Sequence, residues 1–390
     1  MKVEVISDYS LFNKLKQEWN ELAENFPSPL LRHEWADACL RTLYPRNARP
    51  HVVVARSNGR LRAVAPLISV RQAGVRQLVM PGGNIIHEPC GFLYDGREAL
   101  LEIADVIFRT RASLALPRFD VKSKATEVLL ERSASAIRFN RSGSSSLRVP
   151  LRGTWAEFEA TLSSGRRSHL RGYRRRAERL GKVEFEVIGP EAGDFAPHLE
   201  DLFRLEASGW KGRAGTAVLS NPHVHRLYCE YAKATAQLGM LRLFFLKIDG
   251  KRIAARMAVV NGRRLWELKI AYDEAWSSCT PGILLTHETL RWAVESGLEA
   301  HEFLGQAEQW ERHWPTEEDE YVSMRIYPLA PVGQLSLVRD IGQIALRSAP
   351  KLVQEHLSGA ARKALQHGIG AYSSVLAASK AMTRRPNLSS

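Results

Sequence analysis

Residues 267–305 read ELKIAYDEAWSSCTPGILLTHETLRWAVESGLEAHEFLG. This stretch predicts a strand that ends near Asp273, a tight loop, and a helix that begins at Pro281 and stops at Gly297. Proline suits the first helical turn because its missing N–H would be unpaired there, and glycine suits the C-terminal stop. The junction collects unpaired backbone N–H groups and the positive end of a helix dipole at one point. It therefore predicts a phosphate-binding site, although an ordinary capped helix uses the same residue types.

Upstream of this junction, residues 241–272 predict three strands joined by turns at Asp249-Gly250 and Asn261-Gly262. These dipeptides favour the positive φ angles of two-residue hairpins. Residues 50–70 predict a similar hairpin around Asn58-Gly59. Both segments have the pattern strand, two-residue turn, strand. This similarity predicts two diverged copies of one α/β unit.

Apolar residues at helical spacing predict further helices, which lie at residues 9–26, 33–43, 97–110, 155–180, 197–210 and 223–238. The Ser-rich stretch 133–149 is typical of a connection between lobes. We therefore expect an α/β (α+β) fold with two lobes, each a mixed, mostly antiparallel sheet flanked by helices. The sequence predicts an N-terminal lobe at residues 1–145 and a C-terminal lobe that carries the donor site at residues 146–330. An amphipathic helical tail with a disordered end is predicted at residues 331–390.

Composition narrows the functional classes. The chain has 390 residues and 45% hydrophobic content, without an apolar run of the roughly eighteen residues that would span a bilayer. The first residues, MKVEVISDYSLFNK, carry charges where a signal peptide has its apolar segment, so we expect a cytoplasmic protein. Four cysteines are far apart and form no CxxC pair, so we expect neither a metal site nor disulfides. The formal net charge of +13 favours an anionic partner.

Residues 272–314 resemble the core motif of the CelD-like acetyltransferases, a FemAB-related branch of the GNAT superfamily. Its elements are an aspartate-ended strand, a Ser-Pro-Gly or similar turn, a long helix ending in glycine, and a strand ending in Phe-Leu-Gly. Weaker resemblance extends over about residues 150–330. The resemblance implies two GNAT-like lobes and transfer of an acyl group from acetyl-CoA or another acyl-CoA to an amine or hydroxyl of a sugar or amino compound. A place in envelope or exopolysaccharide synthesis would suit such an acceptor.

Two other functional classes stay open. One is a FemAB-type aminoacyl-tRNA-dependent ligase, and the other is a non-catalytic binding protein on a GNAT scaffold. The sequence departs from the family pattern at Gln306 and at Trp310-Glu311, where relatives have a second glycine and Tyr-Lys. We therefore expect an acceptor that differs from theirs.

The resemblance assigns the donor pyrophosphate to one loop, which consists of Ser278, Cys279, Thr280, Pro281, Gly282 and Ile283. Acyl transfer to an amine needs a base, because an amine that resembles lysine is protonated at neutral pH. We expect Glu308 as the first candidate base, Glu267 as the second, and Tyr272 as the acid that protonates the departing thiolate. The residues expected to line an acceptor pocket are Trp210, Lys211, Arg213, Trp310 and Trp314. Ordinary ion pairing or core packing is the alternative for each of these side chains.

Seven arginines lie within residues 166–179, which also contain Tyr173. This helix has three interpretations: a solvated face, a clamp for the phosphates of CoA or of an anionic acceptor, or an RNA contact in which Tyr173 stacks on a base. The tail offers a similar choice between a packed extension and an interfacial helix on anionic lipid. The sequence does not indicate an oligomeric state.

Overall fold

The computed structural model describes residues 1–44, 48–72 and 74–348 of the chain. Its contacts divide the chain into two compact units. The first contains residues 1–26, 30–143 and the chain from 321 onward, and the second contains residues 27–29 and 144–320. The part of the predicted tail beyond residue 348 lies outside the described residues.

The first unit contains the predicted hairpin, whose turn residues Asn58 and Gly59 have φ angles of 51° and 76°. Its strands are β1 (Lys2–Ile6), β2 (Arg49–Ser57), β3 (Arg60–Gln72), β4 (Val75–Val79), β5 (Leu93–Tyr94) and β6 (Ser113–Asp120). Its helices before residue 143 are α1 (Tyr9–Lys14), α2 (Lys16–Ala23), α3 (His33–Thr42), α4 (Arg97–Arg109) and α5 (Lys124–Arg132). Helix α4 packs against β2 and β3 and closes a core of buried aliphatic side chains.

The second unit begins within β7 (Ile137–Pro150) and ends within β13 (Glu317–Tyr327). Its other strands are β8 (Val183–Ile188), β9 (Leu241–Ile248), β10 (Lys251–Asn261), β11 (Arg264–Tyr272) and β12 (Ala300–Phe303). Its helices are α6 (Trp155–Thr161), α7 (Ser164–Leu180), α8 (Ala196–Ser208), α9 (Trp210–Arg213), α10 (Pro222–Gln237) and α11 (Pro281–Glu295). A last helix, α12 (Pro331–Ser348), follows β13 and lies in the first unit.

The two units pair their strands in the same order. In the first, β1, β2, β3 and β4 are antiparallel, β4 is parallel to β6, and β6 is antiparallel to β13. In the second, β8, β9, β10 and β11 are antiparallel, β11 is parallel to β12, and β12 is antiparallel to β7. One helix joins each parallel pair, α4 in the first unit and α11 in the second. The predicted fold class, mixed and mostly antiparallel sheets flanked by helices, is confirmed in both units.

The last strand of each unit explains a difference from the predicted lobes. Residues 321–327 were expected in the second lobe, yet β13 pairs with β6 and these residues group with the first unit. Residues 147–150 of β7 pair with β12 in the second unit. The predicted connection at residues 133–149 is confirmed, because the division between the units falls between Gly143 and Ser144, but the stretch is not a loop. Most of this stretch is strand, because Leu147 and Val149 alternate into the core while the serines mask the pattern.

Two predicted helices are interrupted. The region 155–180 divides into α6 and α7 because Ser163 caps a new helix, with its hydroxyl accepting the N–H of Arg166. The region 9–26 divides at Leu15 into α1 and α2. Among the helices within the described ranges, none combines the length and apolar content that crossing a bilayer requires.

Candidate functional site

The parallel pair β11 and β12 separates after a short contact. Its register runs from Arg264 opposite Ala300 to Glu267 opposite Phe303. At the next residue the β10 and β11 ladder changes register, which leaves Leu268 as the extra residue of a β-bulge. Residues 269–272 of β11 continue beyond the pairing with β12. This divergence leaves backbone groups on one edge of β11 for a ligand that runs along the strand.

The segment after β11 leads directly to the N-terminus of α11. A short 3-10 helix, Glu274–Cys279, is followed by Thr280 in the left-handed conformation, with φ 54° and ψ 58°. The Thr280 side chain makes no cap hydrogen bond, although its carbonyl accepts the N–H groups of Ile283 and Leu284. The capping of α11 therefore leaves the Gly282 N–H for a bound anion.

The six predicted loop residues divide into two groups. Ser278 is exposed, and Thr280 and Gly282 are half-buried. Cys279 and Pro281 are buried and Ile283 packs against the core, so these three side chains support the loop and do not face a ligand. The Cys279 thiol contacts the carbonyl of Trp276 at 3.1 Å, and burial raises its pKa.

The basic helix α7 packs beside the 3-10 helix and against α11. Arg176 is close enough to Cys279 for its charge to oppose the effect of burial on the pKa of that thiol. Arg174 is neutralised by Glu178 and Glu288, at 2.8 and 3.2 Å. Three other arginines are exposed and have no carboxylate partner within the described part of the chain: Arg171, Arg175 and Arg179. Uncompensated positive charge therefore lies on the helix that flanks the predicted phosphate loop.

Helix α9 contacts the same region, but its charged side chains are already paired. The Lys211 ammonium donates to Glu206 and to the carbonyl of Ile270 on β11, both at 3.0 Å. Arg213 pairs with Glu274 at 2.7 Å, and Glu274 also accepts the Trp210 N–H. These contacts tie α9 to the segment after β11. They make Lys211 and Arg213 supports of the diverging strand.

A buried polar network surrounds the bulge. Arg256 on β10 is 1% exposed and lies 2.7 Å from Glu267, which is 8% exposed. The Arg256 guanidinium also donates to Thr286 on α11 at 2.8 Å. His301 on β12 contacts Glu267 at 3.2 Å. The network thus joins three strands and helix α11, which follows the predicted phosphate loop.

Electrostatics fix the charge states in this network. Burial would raise the pKa of Glu267, but the Arg256 charge and the His301 hydrogen bond hold it below its ordinary value. Burial lowers the pKa of His301, so its imidazole is neutral and donates from Nε2 to the carboxylate. His301 Nδ1 and Arg256 Nη1 are buried without a hydrogen-bond partner among the described residues. This orphaned acceptor and donor would be satisfied by water or by ligand atoms.

Glu311 is the most strongly perturbed carboxyl near the site. It lies in the segment after β12, is 5% exposed, and accepts the N–H of Glu308 at 3.0 Å. Burial, together with the carboxylates of Glu267 and Glu308, raises its pKa to about 8. Glu308, the first predicted base, lies three residues away, and its carboxylate accepts the indole N–H of Trp310 at 2.8 Å. The carboxyls of Glu308 and Glu311 are therefore neighbours in different environments. Glu311 is buried, whereas Glu308 is hydrogen-bonded to an indole.

The predicted acceptor-pocket tryptophans are packed more tightly than expected. Trp314 is 3% exposed and belongs to the core, while Trp310 packs edge-on against Phe303. Arg166, at the start of α7, lies 4.8 Å over the Trp314 ring. Two of its guanidinium nitrogens are buried without a partner within the described residues. A half-buried, unpaired guanidinium beside an indole is suited to a carboxylate or phosphate of a ligand.

A separate cavity of about 400 Å³ lies where β11 and β12 begin, at the ends opposite the bulge. Its lining includes Arg148 and Arg264. Arg148 pairs with Glu317 and Asp319, and Arg264 pairs with Glu302. A third lining arginine, Arg152, is exposed, and the carboxylates of Glu299 and Glu317 also line this cavity.

Comparison with known proteins identifies the fold. Residues 164–312 match a family model described as an acetyltransferase (GNAT) domain. The crystal structure of FemX is similar over 86% of this chain and 99% of the FemX chain, with a TM-score of 0.61 and 14% identity. The protein has a GNAT-superfamily fold, related to that of the FemAB proteins.

A second solved structure agrees with this assignment. It is the DUF2156 domain of an Agrobacterium fabrum protein named as a lysylphosphatidylglycerol synthetase, with a TM-score of 0.50 and 14% identity over 84% of this chain and 95% of that one. A search of curated protein sequences finds no match. The matched GNAT domain contains α7, the bulge, the predicted phosphate loop and Glu311. The narrower CelD-like assignment stays a prediction.

The structure brings together most residues predicted for the GNAT site and adds two that sequence analysis missed. Glu267, Tyr272 and Glu308 lie near the bulge or the loop, whereas Trp314 lies in the core. Arg256 and Glu311 were missed. Arg256 interrupts the apolar strand sequence IAARMAVV, and a charge at such a position is a signal of a buried pair.

The raised pKa of Glu311 predicts how pH affects stability. A carboxyl whose folded pKa is about 8 binds a proton in the fold between pH 4.5 and 8, where the unfolded chain has lost it. Its contribution therefore falls as pH rises through this range, by at most about 1.4 kcal/mol per pH unit. Glu311→Gln keeps the neutral form at every pH. We expect urea unfolding from pH 5 to 8 to show a shallower loss of stability for the variant than for the wild type.

Glu320→Gln is the control, because it removes an exposed carboxylate of the same unit. A stability difference between wild type and Glu311→Gln that is constant from pH 5 to 8 would contradict a raised pKa.

Proposed function

We propose that this GNAT-fold protein is an acyl-CoA-dependent acyltransferase that acts on an amine or hydroxyl of a sugar or amino compound. One observation carries the proposal. The strand that diverges at Leu268 leads within a few residues to the N-terminus of α11, and the arginine-rich α7 lies alongside. Acyl-CoA is an extended ligand with an anionic end. Its amides would pair with the free edge of β11, and its diphosphate would lie at the N-terminus of α11.

The donor diphosphate would lie at Gly282 and the exposed face of α7. The Gly282 N–H is the donor left for an anion, because Pro281 has no N–H and the Ile283 N–H already donates to the Thr280 carbonyl. Arg175 and Arg179 share one face of α7 at four-residue spacing. Their guanidinium groups would neutralise phosphate charge at the ligand's exposed end.

Glu311 is suited to the proton transfer that acyl transfer needs. The acceptor nitrogen attacks the thioester carbonyl carbon, the C–S bond breaks, and the nitrogen gives up a proton. A base works best when its pKa is close to the operating pH, and the pKa of Glu311 is about 8. In the proposal Glu311 takes the acceptor proton and Glu308 holds the Trp310 indole beside it. Tyr272, which borders the Gly282 turn, is the candidate acid for the departing thiolate.

The acceptor is expected to carry a negative charge. Arg166 over Trp314 presents a flat cation without a carboxylate partner, and it lies in the same unit as Glu311. A sugar or amino compound with a carboxylate or phosphate would complete the pair. Envelope or exopolysaccharide intermediates belong to this chemical class, and a cytoplasmic enzyme would meet their nucleotide-linked forms.

A second candidate function is a FemAB-type aminoacyl-tRNA-dependent ligase. The exposed, uncompensated arginines of α7 favour it, because single-stranded RNA is bound through phosphate contacts and stacking. Arg176 already stacks 4.9 Å over Tyr173, which leaves that ring less available for a base. A compact donor diphosphate therefore fits α7 better than an RNA strand.

Isothermal titration calorimetry with acetyl-CoA and longer acyl-CoAs tests the donor site. We expect binding by the wild type and at least tenfold weaker binding by Gly282→Val, because the new side chain covers the N–H that meets the diphosphate. Stability should change little, since the added Cβ would lie 3.7 Å from the Tyr272 ring, an ordinary contact. Valine also costs no more than glycine in a helix.

Gly165→Val is the matched control, because Gly165 occupies the same early position of α7 and its Cβ would meet nothing within 4 Å. Equal weakening by both variants would place the donor elsewhere. Absence of binding by any acyl-CoA would favour the aminoacyl-tRNA ligase.

The pH dependence of turnover tests the proposed base. If Glu311 must be ionised, kcat should rise with pH and level off above about 8. Glu311→Gln should lower kcat by about two to four orders of magnitude. The kcat of this variant should no longer rise with pH. Glu308→Gln should keep the shape of the profile. If kcat of Glu308→Gln no longer rises with pH while kcat of Glu311→Gln still does, the base is Glu308.

Removing the charges of Arg175 and Arg179 distinguishes a donor clamp from an RNA surface. A clamp predicts weaker acyl-CoA binding by Arg175→Gln/Arg179→Gln and an unchanged salt dependence of RNA binding. An RNA surface predicts that the log-log salt slope on single strands becomes shallower by about 1.4, since each phosphate contact contributes about 0.7. Arg60→Gln/Arg109→Gln is the control, because both arginines are exposed in the first unit. Unchanged donor and RNA binding would leave α7 as a solvated face.

A further inference from the structure

Helices α8 and α10 bring three side chains of metal-ligand type together. His225 and Cys229 are four residues apart on α10, so their side chains lie on one face of that helix. Glu200 extends from α8, and its Oε1 atom lies 2.8 Å from His225 Nε2. The Cys229 Sγ atom lies 3.6 Å from the same nitrogen. Within the described part of the chain, this is the one group of three His, Cys, Asp or Glu side chains whose ligand atoms converge within 4.8 Å.

The local structure positions this cluster at the protein surface. The Asn221 side chain accepts backbone N–H groups at the start of α10 and caps the turn that carries His225. Phe203, which is fully buried on α8, packs at a steep angle against the His225 imidazole, with ring centroids 5.3 Å apart. The side chains of His225 and Glu200 are 30% and 35% exposed. Packing therefore orients the imidazole, while an ion from solvent is able to reach the ligand atoms.

The separations suit a tetrahedral dication. Zinc binds an imidazole nitrogen at about 2.0 Å and a thiolate at about 2.3 Å, which places the two ligand atoms about 3.5 Å apart at a tetrahedral angle. The 3.6 Å between His225 Nε2 and Cys229 Sγ matches this value. Glu200 Oε1 is closer to the nitrogen because the two share a hydrogen bond, and a side-chain rotation would admit the ion between them. Imidazole, thiolate and carboxylate, with water in the fourth position, form a ligand set that Zn²⁺ accepts.

The charge around the cluster favours a cation. Burial, together with the carboxylates of Glu200 and Glu230, raises the pKa of the Cys229 thiol to about 11. The negative potential that opposes a thiolate attracts a dication through the same Coulomb interaction. On binding, a Zn–S bond would replace the S–H bond, and the thiol proton would pass to solvent. His225 would direct the lone pair of Nε2 to the ion and carry its proton on Nδ1.

A nucleophilic cysteine fits these contacts less well. In a nucleophile-base-acid group, the imidazole uses one ring nitrogen toward the nucleophile and the other toward the carboxylate. Here Glu200 and Cys229 approach the same nitrogen of His225, so a proton relay through the ring is not formed. The raised pKa also keeps Cys229 as a thiol at neutral pH, and the thiol is the unreactive form. Convergence on one point is the arrangement of a metal site.

We propose that Glu200, His225 and Cys229 bind a Zn²⁺ ion that cross-links α8 and α10. Helix α8 leads into α9, whose Lys211 donates to the diverging strand β11. The ion would therefore fix the helix from which that support begins. The inference does not depend on the proposed acyl transfer, because the three ligands are separate from the donor loop and from Glu311. Cysteine spacing did not indicate the site, since one ligand comes from a different helix.

Titration calorimetry of the full chain with Zn²⁺ tests the site, on reduced, tag-free protein from which metal has been removed by chelation. We expect binding of a single ion and a higher melting temperature in its presence. Cys229→Ser and His225→Gln should each weaken binding by more than about tenfold, since loss of even a supporting partner of a ligand costs about ten- to a hundredfold. His223→Gln is the matched control, because it removes an exposed histidine of the same helix and should bind as the wild type does.

Co²⁺ serves as a spectroscopic probe of the ligands. We expect thiolate-to-cobalt charge-transfer absorption from the wild type and from His223→Gln, and its loss in Cys229→Ser. Glu200→Gln keeps the side-chain shape and should bind Zn²⁺ more weakly than the wild type. Failure of the wild type to bind Zn²⁺ or Co²⁺ would overturn the proposal and leave Glu200 and His225 as an ion pair. So would binding that Cys229→Ser and His225→Gln leave unchanged, or a cobalt spectrum without the thiolate absorption.

Discussion

The buried ion pair between Arg256 and Glu267 is the constraint on which the candidate site depends. Burying two charges costs free energy unless their geometry and additional hydrogen bonds compensate. Here part of the compensation comes from His301 and Thr286, so these contacts form only when β10, β11, β12 and α11 are all in place. The position of the bulge, the divergence of β11 from β12 and the start of α11 are therefore linked. Burial raises the pKa of Glu311, and the nearby carboxylate of Glu267 raises it further, which links Glu311 to the same pair.

The two units share one strand topology but differ in the connection that leads to the helix of the parallel pair. Both units contain an antiparallel meander, a parallel pair joined by a helix, and a last strand supplied by a distant part of the chain. In the second unit the segment from 273 to 280 is short and delivers the chain directly to the N-terminus of α11. In the first, residues 80–96 separate β4 from α4 and include β5. The shorter connection gives the second unit a helix N-terminus beside a strand edge, an arrangement suited to an anion.

Positive charge is distributed unevenly over this protein. Many arginines are neutralised locally, as Arg174 is by Glu178 and Glu288, and Arg148 by Glu317 and Asp319. Within the described residues, uncompensated cations remain on α7. Because exposed ion pairs contribute little to stability, leaving these cations unpaired costs the fold little and leaves their field available to ligands. The exposed arginines of α7 therefore favour an anionic ligand.

The sequence by itself determined the local elements whose signals lie within a few residues. Asn58-Gly59, Asp249-Gly250 and the Pro281 to Gly297 pattern predicted hairpins and a helix because turn and cap preferences act through neighbouring backbone atoms. The motif around these elements also indicated the GNAT fold. The tertiary structure alone decided which side chains meet. The bulge at Leu268, the pairing of Arg256 with Glu267 and the return of β13 to β6 join residues far apart in the chain. The pKa of Glu311 likewise depends on burial, which only the packed fold creates.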